Sequence, residues 1–123
     1  NKIKGNRKII FSIHWGRNYI NSNNTDTYLY DKYKTFFKNV CDLGADIIFG
    51  HGAHHIMNPP YELYNGKLII YGLGDFTGDF KYNNSYNTDK SLILRFNTEN
   101  KSINSIIVGG EYDNYNCKNP IML

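Results

Sequence analysis

The chain has 123 residues, a hydrophobic fraction of 41% and seven phenylalanines, which is enough apolar material for one globular domain and excludes general disorder. Its formal net charge of +3 is small and its lysines are scattered, so the sequence lacks the clustered basic patch of nucleic-acid-binding proteins. No apolar run approaches the ~20 residues of a membrane span. We therefore expect a single domain over residues 1–123, with no nucleic-acid partner and no membrane span.

The first part of the chain predicts a strand, a helix and a second strand. Arg7 to Ile13 is an isoleucine-rich run bounded by glycines, which is typical of a buried strand. After a polar loop ending near Asp26, which can cap a helix, apolar residues recur at helical spacing from Tyr28 to Cys41. Gly44 is expected to end this helix, and Ala45 to Phe49 forms the second buried strand.

Two histidines follow these two strands. His14 ends the first strand and His51 ends the second, each beside a glycine. A strand–helix–strand unit makes its two strands parallel, so both strands end at the same edge of one sheet. We therefore expect the two imidazoles to converge at the carboxyl edge, where open α/β sheets bind ligands.

The rest of the chain predicts hairpins. After a proline pair, the segment YELYNGKLIIYGLG contains a two-residue Asn65–Gly66 turn, with a return strand over Ile69 to Leu73. Ser91 to Phe96 and Ile103 to Val108 form a second hairpin around a polar turn, and the tail from Glu111 gives no clear signal. The fold class is therefore α/β, a βαβ unit followed by β-hairpins.

The segment GHGAHH carries the remaining histidines. His51, His54 and His55 are set among glycines that favour a tight loop over a helix, so all four histidines of the chain are expected at one edge. Neutral imidazole suits zinc, iron and manganese, which makes a divalent-metal site the leading hypothesis. The alternative is a structural corner of hydrogen-bonded histidines. His55 is the weakest candidate ligand, because one of two adjacent imidazoles usually turns away.

Neighbouring residues leave several roles open. Asp75 in GLGDF fits a metal ligand, an anchor for a histidine, or simply a turn residue, which is the simplest interpretation. Trp15 could stack on a substrate, although packing in the core explains it more simply. Cys41 lies on the apolar stripe of the predicted helix and the sequence has no CxxC, so neither a thiolate zinc site nor a cysteine nucleophile is indicated.

Three segments occur in a specific order, SIHWG, LGADIIFGHGAH and ELYNGKLIIYGLGDF, between Ile9 and Phe76. Together they resemble the bacterial poly-gamma-glutamate capsule-synthesis family, called CapA-like, whose fold is similar to that of calcineurin-like metallophosphatases. The resemblance implies a metallophosphatase-like four-layer α-β-β-α sandwich, of which this chain would form the C-terminal portion. It also hints at a location at the cell surface or outside the cell.

The resemblance also implies roles for individual residues. His14 matches the histidine of the family's HWG motif, and His51 and His54 match the two histidines of its G-H-x-P-H loop, so all three would bind metal. His54 could also donate a proton in catalysis, and Asp75 would orient a ligand. A two-metal centre of zinc, manganese or iron would then activate water and hold a phosphoester or an anionic polymer such as polyglutamate.

The chain also departs from the family pattern. Ala53 replaces the usual proline, which should loosen the loop, and Asn18 replaces a glutamate that often follows HWG. Asn18 and Trp15 would then lie beside the metal ligands or the substrate. The family's upstream motifs are absent, so we expect a missing N-terminal segment or a second chain to complete the site. The function implied is a metal-dependent hydrolase-like domain; the alternative is a non-catalytic binding or assembly domain that retains the fold.

Overall fold

A computed structural model describes residues 5, 7–18, 27–75, 88, 90–113 and 116–122, and for 27–30, 110–113 and 116–122 only the course of the backbone is considered. Contacts divide the chain into two compact units, one comprising Asn1–Ala53 and Met57–Gly72, the other comprising His54–Ile56 and Leu73–Leu123. Within the described ranges the mixed α/β character expected from the sequence is confirmed. The elements are β1 (Ile10–His14), α1 (Thr27–Asp42), β2 (Ile47–His51), β3 (Tyr61–Tyr64), β4 (Lys67–Ile70), β5 (Lys90–Phe96), β6 (Ile103–Asp113) and β7 (Asn116–Met122).

The first unit contains a four-stranded sheet in the order β1-β2-β4-β3. The predicted βαβ unit is present, because β1 pairs in parallel with β2 and α1 connects them. Strand β4 extends the parallel part of the sheet beside β2, and β3 closes it as an antiparallel edge. The predicted helix cap at Asp26 lies outside the described residues.

The β3–β4 hairpin turns at Asn65 and Gly66, as the sequence predicts. Both residues have positive φ angles, of 50° and 72°, which is the conformation that a two-residue hairpin turn of type I′ requires. This turn pairs Tyr64 directly with Lys67, so β4 begins earlier than the predicted return strand and ends at Ile70. The predicted strand boundaries were wrong because the turn, rather than the apolar run, determines the register.

The core of the first unit lies between α1 and one face of its sheet. Fully buried Phe37 and Cys41 of α1 pack with Ile48 of β2, and with Ile69 and Tyr71 in and after β4. These side chains share one face because strand residues alternate between the two faces of a sheet, while helix residues repeat every three or four positions. Four further core residues come from the segments between the elements: Trp15, Ala45, Ala53 and Met57.

Cys41 should be chemically protected in the folded chain. Its side chain is fully buried, and this burial raises the pKa of the thiol, against an opposing effect of nearby Lys67. Because the thiolate is the reactive form, we expect iodoacetamide to leave Cys41 unmodified at about pH 8 until denaturant is added. Peptide mass spectrometry, which separates Cys41 from Cys117, measures this. Rapid labelling of Cys41 without denaturant would contradict the buried position of the thiol.

The second unit contains a three-stranded antiparallel sheet in the order β5-β6-β7. The predicted hairpin of β5 and β6 is present. Its turn is closed by two hydrogen bonds, from the Asn97 N–H to the Ser102 carbonyl and from the Lys101 N–H to the Asn97 carbonyl. Strand β6 continues to Asp113, and β7 pairs with its second half; neither feature was predicted. The sequence of β7, NCKNPIM, carries no alternating pattern, so pairing with β6 rather than local propensity accounts for the strand. In the part of the chain that the structure describes, no helix has the length and apolar character needed to cross a membrane.

Candidate functional site

The carboxyl ends of β1 and β2 bring two histidines side by side. His14 and His51 are the last residues of their strands and are paired in register. Their imidazole centroids are 5.4 Å apart, with the rings nearly perpendicular at 84°. Both side chains are exposed, on the face of the sheet opposite the one that packs against α1. The parallel pairing predicted from the sequence therefore places these two imidazoles together.

Trp15 fixes the strand end that carries His14. Its backbone N–H donates to the carbonyl of His51 over 3.0 Å, and its indole Nε1–H donates to the carbonyl of Tyr71 over 2.8 Å. The ring is only 3% exposed and makes edge contacts with Tyr33 and Phe37. Trp15 therefore packs in the core, which was the simpler interpretation.

In the second unit, His54 is paired with Asp75. The imidazole Nδ1 lies 2.7 Å from the carboxylate Oδ2, and both side chains are partly buried. When Nδ1 carries the proton, it donates to Asp75, and in the neutral ring the lone pair then resides on Nε2. His54 also has a φ of 61°, a left-handed conformation that histidine adopts more readily than most residues. Asp75 is therefore a partner of a histidine and more than a turn residue.

The structure also places three other residues that the sequence singled out. His55 is 3% exposed, and its Nδ1 lies 2.9 Å from the carbonyl oxygen of Ile56, as expected for the adjacent imidazole that turns away. Asn18 lies in an exposed turn after β1. Ala53 is almost completely buried in the core of the first unit, so its methyl group contributes to packing.

The donor set can be compared with what a metal requires. No group of three or more His, Cys, Asp or Glu side chains that could hold a metal ion occurs among the described residues. His14 and His51 supply two imidazoles, whereas a catalytic zinc is usually held by three protein ligands. The described residues thus contain two adjacent imidazoles but no complete set of ligands for such an ion.

Sequence reasoning did not assign a role to the two glycines that flank His51. Both were interpreted only as signals of a tight loop. In the structure, a Cβ at Gly50 would collide with the Trp15 indole, and a Cβ at Gly52 would collide with the His14 imidazole. The alternation of glycine with histidine in GHG was the available signal, since a bare backbone permits close approach of rings from the neighbouring strand.

Comparison with known proteins gives a consistent set of similarities. Residues 1–79 match the family model of the bacterial capsule synthesis protein PGA_cap. The PGA biosynthesis protein CapA of Bacillus subtilis is 38% identical over 71 residues, which cover 58% of this chain and 17% of that protein. A probable polyglutamine synthesis accessory protein of Mycobacterium tuberculosis is 35% identical over 78 residues, covering 58% of this chain and 17% of that protein. The capsule biosynthesis protein CapA of Bacillus anthracis is 32% identical over 77 residues, covering 62% and 17% respectively.

The chain therefore spans 17% of the length of each of these curated relatives. No solved structure matches it significantly.

Proposed function

This chain belongs to the bacterial capsule synthesis protein family PGA_cap, and on that premise we propose that it contributes to a metal-dependent, hydrolase-like site that serves capsule synthesis. In this proposal His14 and His51 are metal ligands. The observation that carries it is their in-register pairing as two exposed imidazoles at the carboxyl edge of a parallel sheet. Divalent zinc, manganese or iron at a completed, two-metal site would supply an activated water and a clamp for an oxyanion.

The proposal includes the metallophosphatase-like α-β-β-α sandwich as the architecture of the complete domain. Support comes from the sheet of the first unit, where α1 packs against only one face. The opposite face carries exposed apolar residues, namely Ile10 of β1, Phe49 of β2 and Leu63 of β3. Sheets of parallel strands are normally covered on both faces. A second layer over these side chains is what a sandwich would provide.

We extend the proposal to His54 as a further metal ligand or as a proton donor. Its Nδ1 lies 2.7 Å from the Asp75 carboxylate, an arrangement that commonly fixes the orientation and the tautomer of a functional histidine. His54 follows His51 by three residues in a loop containing Gly52, whose φ of 108° gives the backbone a sharp turn. Asp75 would then act through His54, by orienting it.

The class of substrate is proposed from the names of the relatives. Those names refer to PGA biosynthesis, polyglutamine synthesis and capsule biosynthesis. We infer an anionic substrate, either a phosphoester or a polyglutamate chain, and the formal net charge of +3 is compatible with either. A location at the cell surface, where capsules are found, belongs to the same proposal.

Zinc titration of the chain tests the metal ligands. We expect His14→Ala and His51→Ala each to weaken zinc binding by at least tenfold, about 1.4 kcal/mol, because each removes one of the paired imidazoles. Isothermal titration calorimetry measures the affinity. Ser12→Ala is the matched control, since Ser12 lies on the same face of β1, is exposed and has no metal-ligating atom of comparable strength. Equal zinc affinity in the parent and in both histidine variants would refute the proposed ligands.

A non-catalytic binding or assembly domain remains the second candidate function. It is favoured by the absence of a three-ligand group among the residues that the structure describes. Titration with poly-gamma-glutamate in the presence of EDTA, alongside a p-nitrophenyl phosphate hydrolysis assay with added zinc or manganese, separates the two. Polymer binding without metal and without hydrolysis supports the binding domain. Hydrolysis that is lost in His14→Ala supports the hydrolase-like site.

A further inference from the structure

We propose that Gly52 is a positioning residue for the His14 imidazole. Gly52 directly follows His51 and has a φ of 108°, in the region that favours glycine. A Cβ built on this residue would lie 2.7 Å from Nε2, 2.8 Å from Cε1 and 3.0 Å from Cδ2 of His14. The His14 ring therefore lies directly against the backbone of Gly52, in space that any other side chain would occupy.

The three distances also indicate how the ring is oriented. If the added Cβ lay in the ring plane, in line with the lone pair of Nε2, the two flanking carbons would be clearly farther away than the nitrogen. Their distances instead differ from it by only a little, so the Cβ would sit over the face of the ring. Gly52 consequently supports the face of the imidazole and leaves the in-plane directions of its nitrogens unobstructed by this contact.

His51 supplies a second contact for the same ring. Its imidazole stands nearly perpendicular to that of His14, at 84° and 5.4 Å between centroids, so one ring presents its edge to the other. An exposed histidine without such neighbours has several staggered rotamers available and loses entropy when it is restricted to one. The contact of the His14 ring face with Gly52 and the perpendicular ring contact with His51 both restrict the His14 side chain before any ligand binds. The functional relevance of this restriction rests on the proposed function. The geometry itself does not depend on that proposal.

Nuclear magnetic resonance of the metal-free chain tests the proposal. In the parent we expect nuclear Overhauser effects between the Gly52 Hα protons and the His14 ring protons, which are assigned by comparison with His14→Ala. In Gly52→Ala we expect shifted His14 ring cross-peaks and loss of the Overhauser effects between the His14 and His51 rings. The Trp15 indole N–H resonance should remain in place, because its hydrogen bond to Tyr71 reports an intact core.

Gly5→Ala is the matched control. Gly5 also has a positive φ, of 45°, but a Cβ there would meet nothing within 4 Å, so the His14 and His51 resonances should not change. Absence of Gly52–His14 Overhauser effects in the parent would overturn the proposal, even if Gly52→Ala fails to fold. Unchanged His14–His51 effects in a folded Gly52→Ala would also overturn it. If the parent shows these contacts yet binds no zinc, the proposed function fails while the role of Gly52 stands.

Discussion

Gly50→Ala should strongly destabilise the folded chain. Gly50 is buried in β2, and a Cβ there would lie 2.5 Å from Nε1 of Trp15 and 2.7 Å from the carbonyl oxygen of Ile70. The Ile70 oxygen belongs to the backbone of the neighbouring strand β4, so it can move away only if the sheet separates locally. The Trp15 indole is packed in the core and cannot swing into solvent without leaving a cavity.

The expected loss of stability in Gly50→Ala has two separate causes. Overpacking of a dense core costs about 1–3 kcal/mol, and loss of the buried hydrogen bond from the indole to the Tyr71 carbonyl costs about 0.5–1.5 kcal/mol more. Together these costs are a large fraction of the net stability of about 5–15 kcal/mol that is typical of a domain. We expect the urea midpoint to fall sharply or the folded state to be lost.

Trp15 is the only tryptophan in the sequence, so its fluorescence reports directly on the disturbed contact. Urea unfolding followed by this signal measures the effect. In Gly5→Ala, the control, the added Cβ meets nothing within 4 Å, so we expect only the cost of placing alanine at a φ of 45°, about 1–2 kcal/mol. An alanine in an unobstructed strand usually stabilises relative to glycine by about 0.5–1 kcal/mol. A Gly50→Ala chain that is as stable as the parent, or more stable, would show that β2 and β4 do not approach as closely as described.

The parallel part of the fold could be predicted because its signals are local and topological. The isoleucine-rich runs before His14 and His51 indicate strands, and the helical spacing that ends at Cys41 indicates the connection between them. A crossover connection then makes the strands parallel, which is sufficient to place both histidines at one edge. The observed pairing of His14 with His51 is the direct result of that argument.

Features that depend on specific strand pairing or loop geometry could not be predicted from the sequence. Strand β7 carries no alternating pattern and forms by pairing with β6, and the start of β4 is determined by the register of the Asn65–Gly66 turn. The partnership of Asp75 with His54 depends on a backbone conformation with positive φ at His54, which no spacing rule predicts for histidine. The identity of a metal and the remaining ligands cannot be derived from two imidazoles alone.

Trp15→Ala and Trp15→Phe should separate two ways in which the tryptophan holds the strand end. Trp15→Ala removes a ring that is only 3% exposed. The substitution should cost about 3–5 kcal/mol from lost burial and the resulting cavity. Trp15→Phe retains aromatic contact with Tyr33 and Phe37 and removes the Nε1–H donor to the Tyr71 carbonyl. The lost hydrogen bond should cost about 0.5–1.5 kcal/mol. Urea unfolding followed by far-ultraviolet circular dichroism measures both.

The same two variants also test whether packing of Trp15 in the core maintains the contact between the His14 and His51 rings. The backbone N–H of Trp15 donates to the carbonyl of His51, and this bond does not require the indole. Trp15→Phe should therefore retain the Overhauser effects between the His14 and His51 rings, whereas Trp15→Ala should weaken them, because the cavity lets the end of β1 shift. If Trp15→Phe destabilises as much as Trp15→Ala, the indole hydrogen bond rather than ring packing dominates. If neither changes stability, Trp15 does not lie in the core, and the ordering of His14 must come from Gly52 and His51 alone.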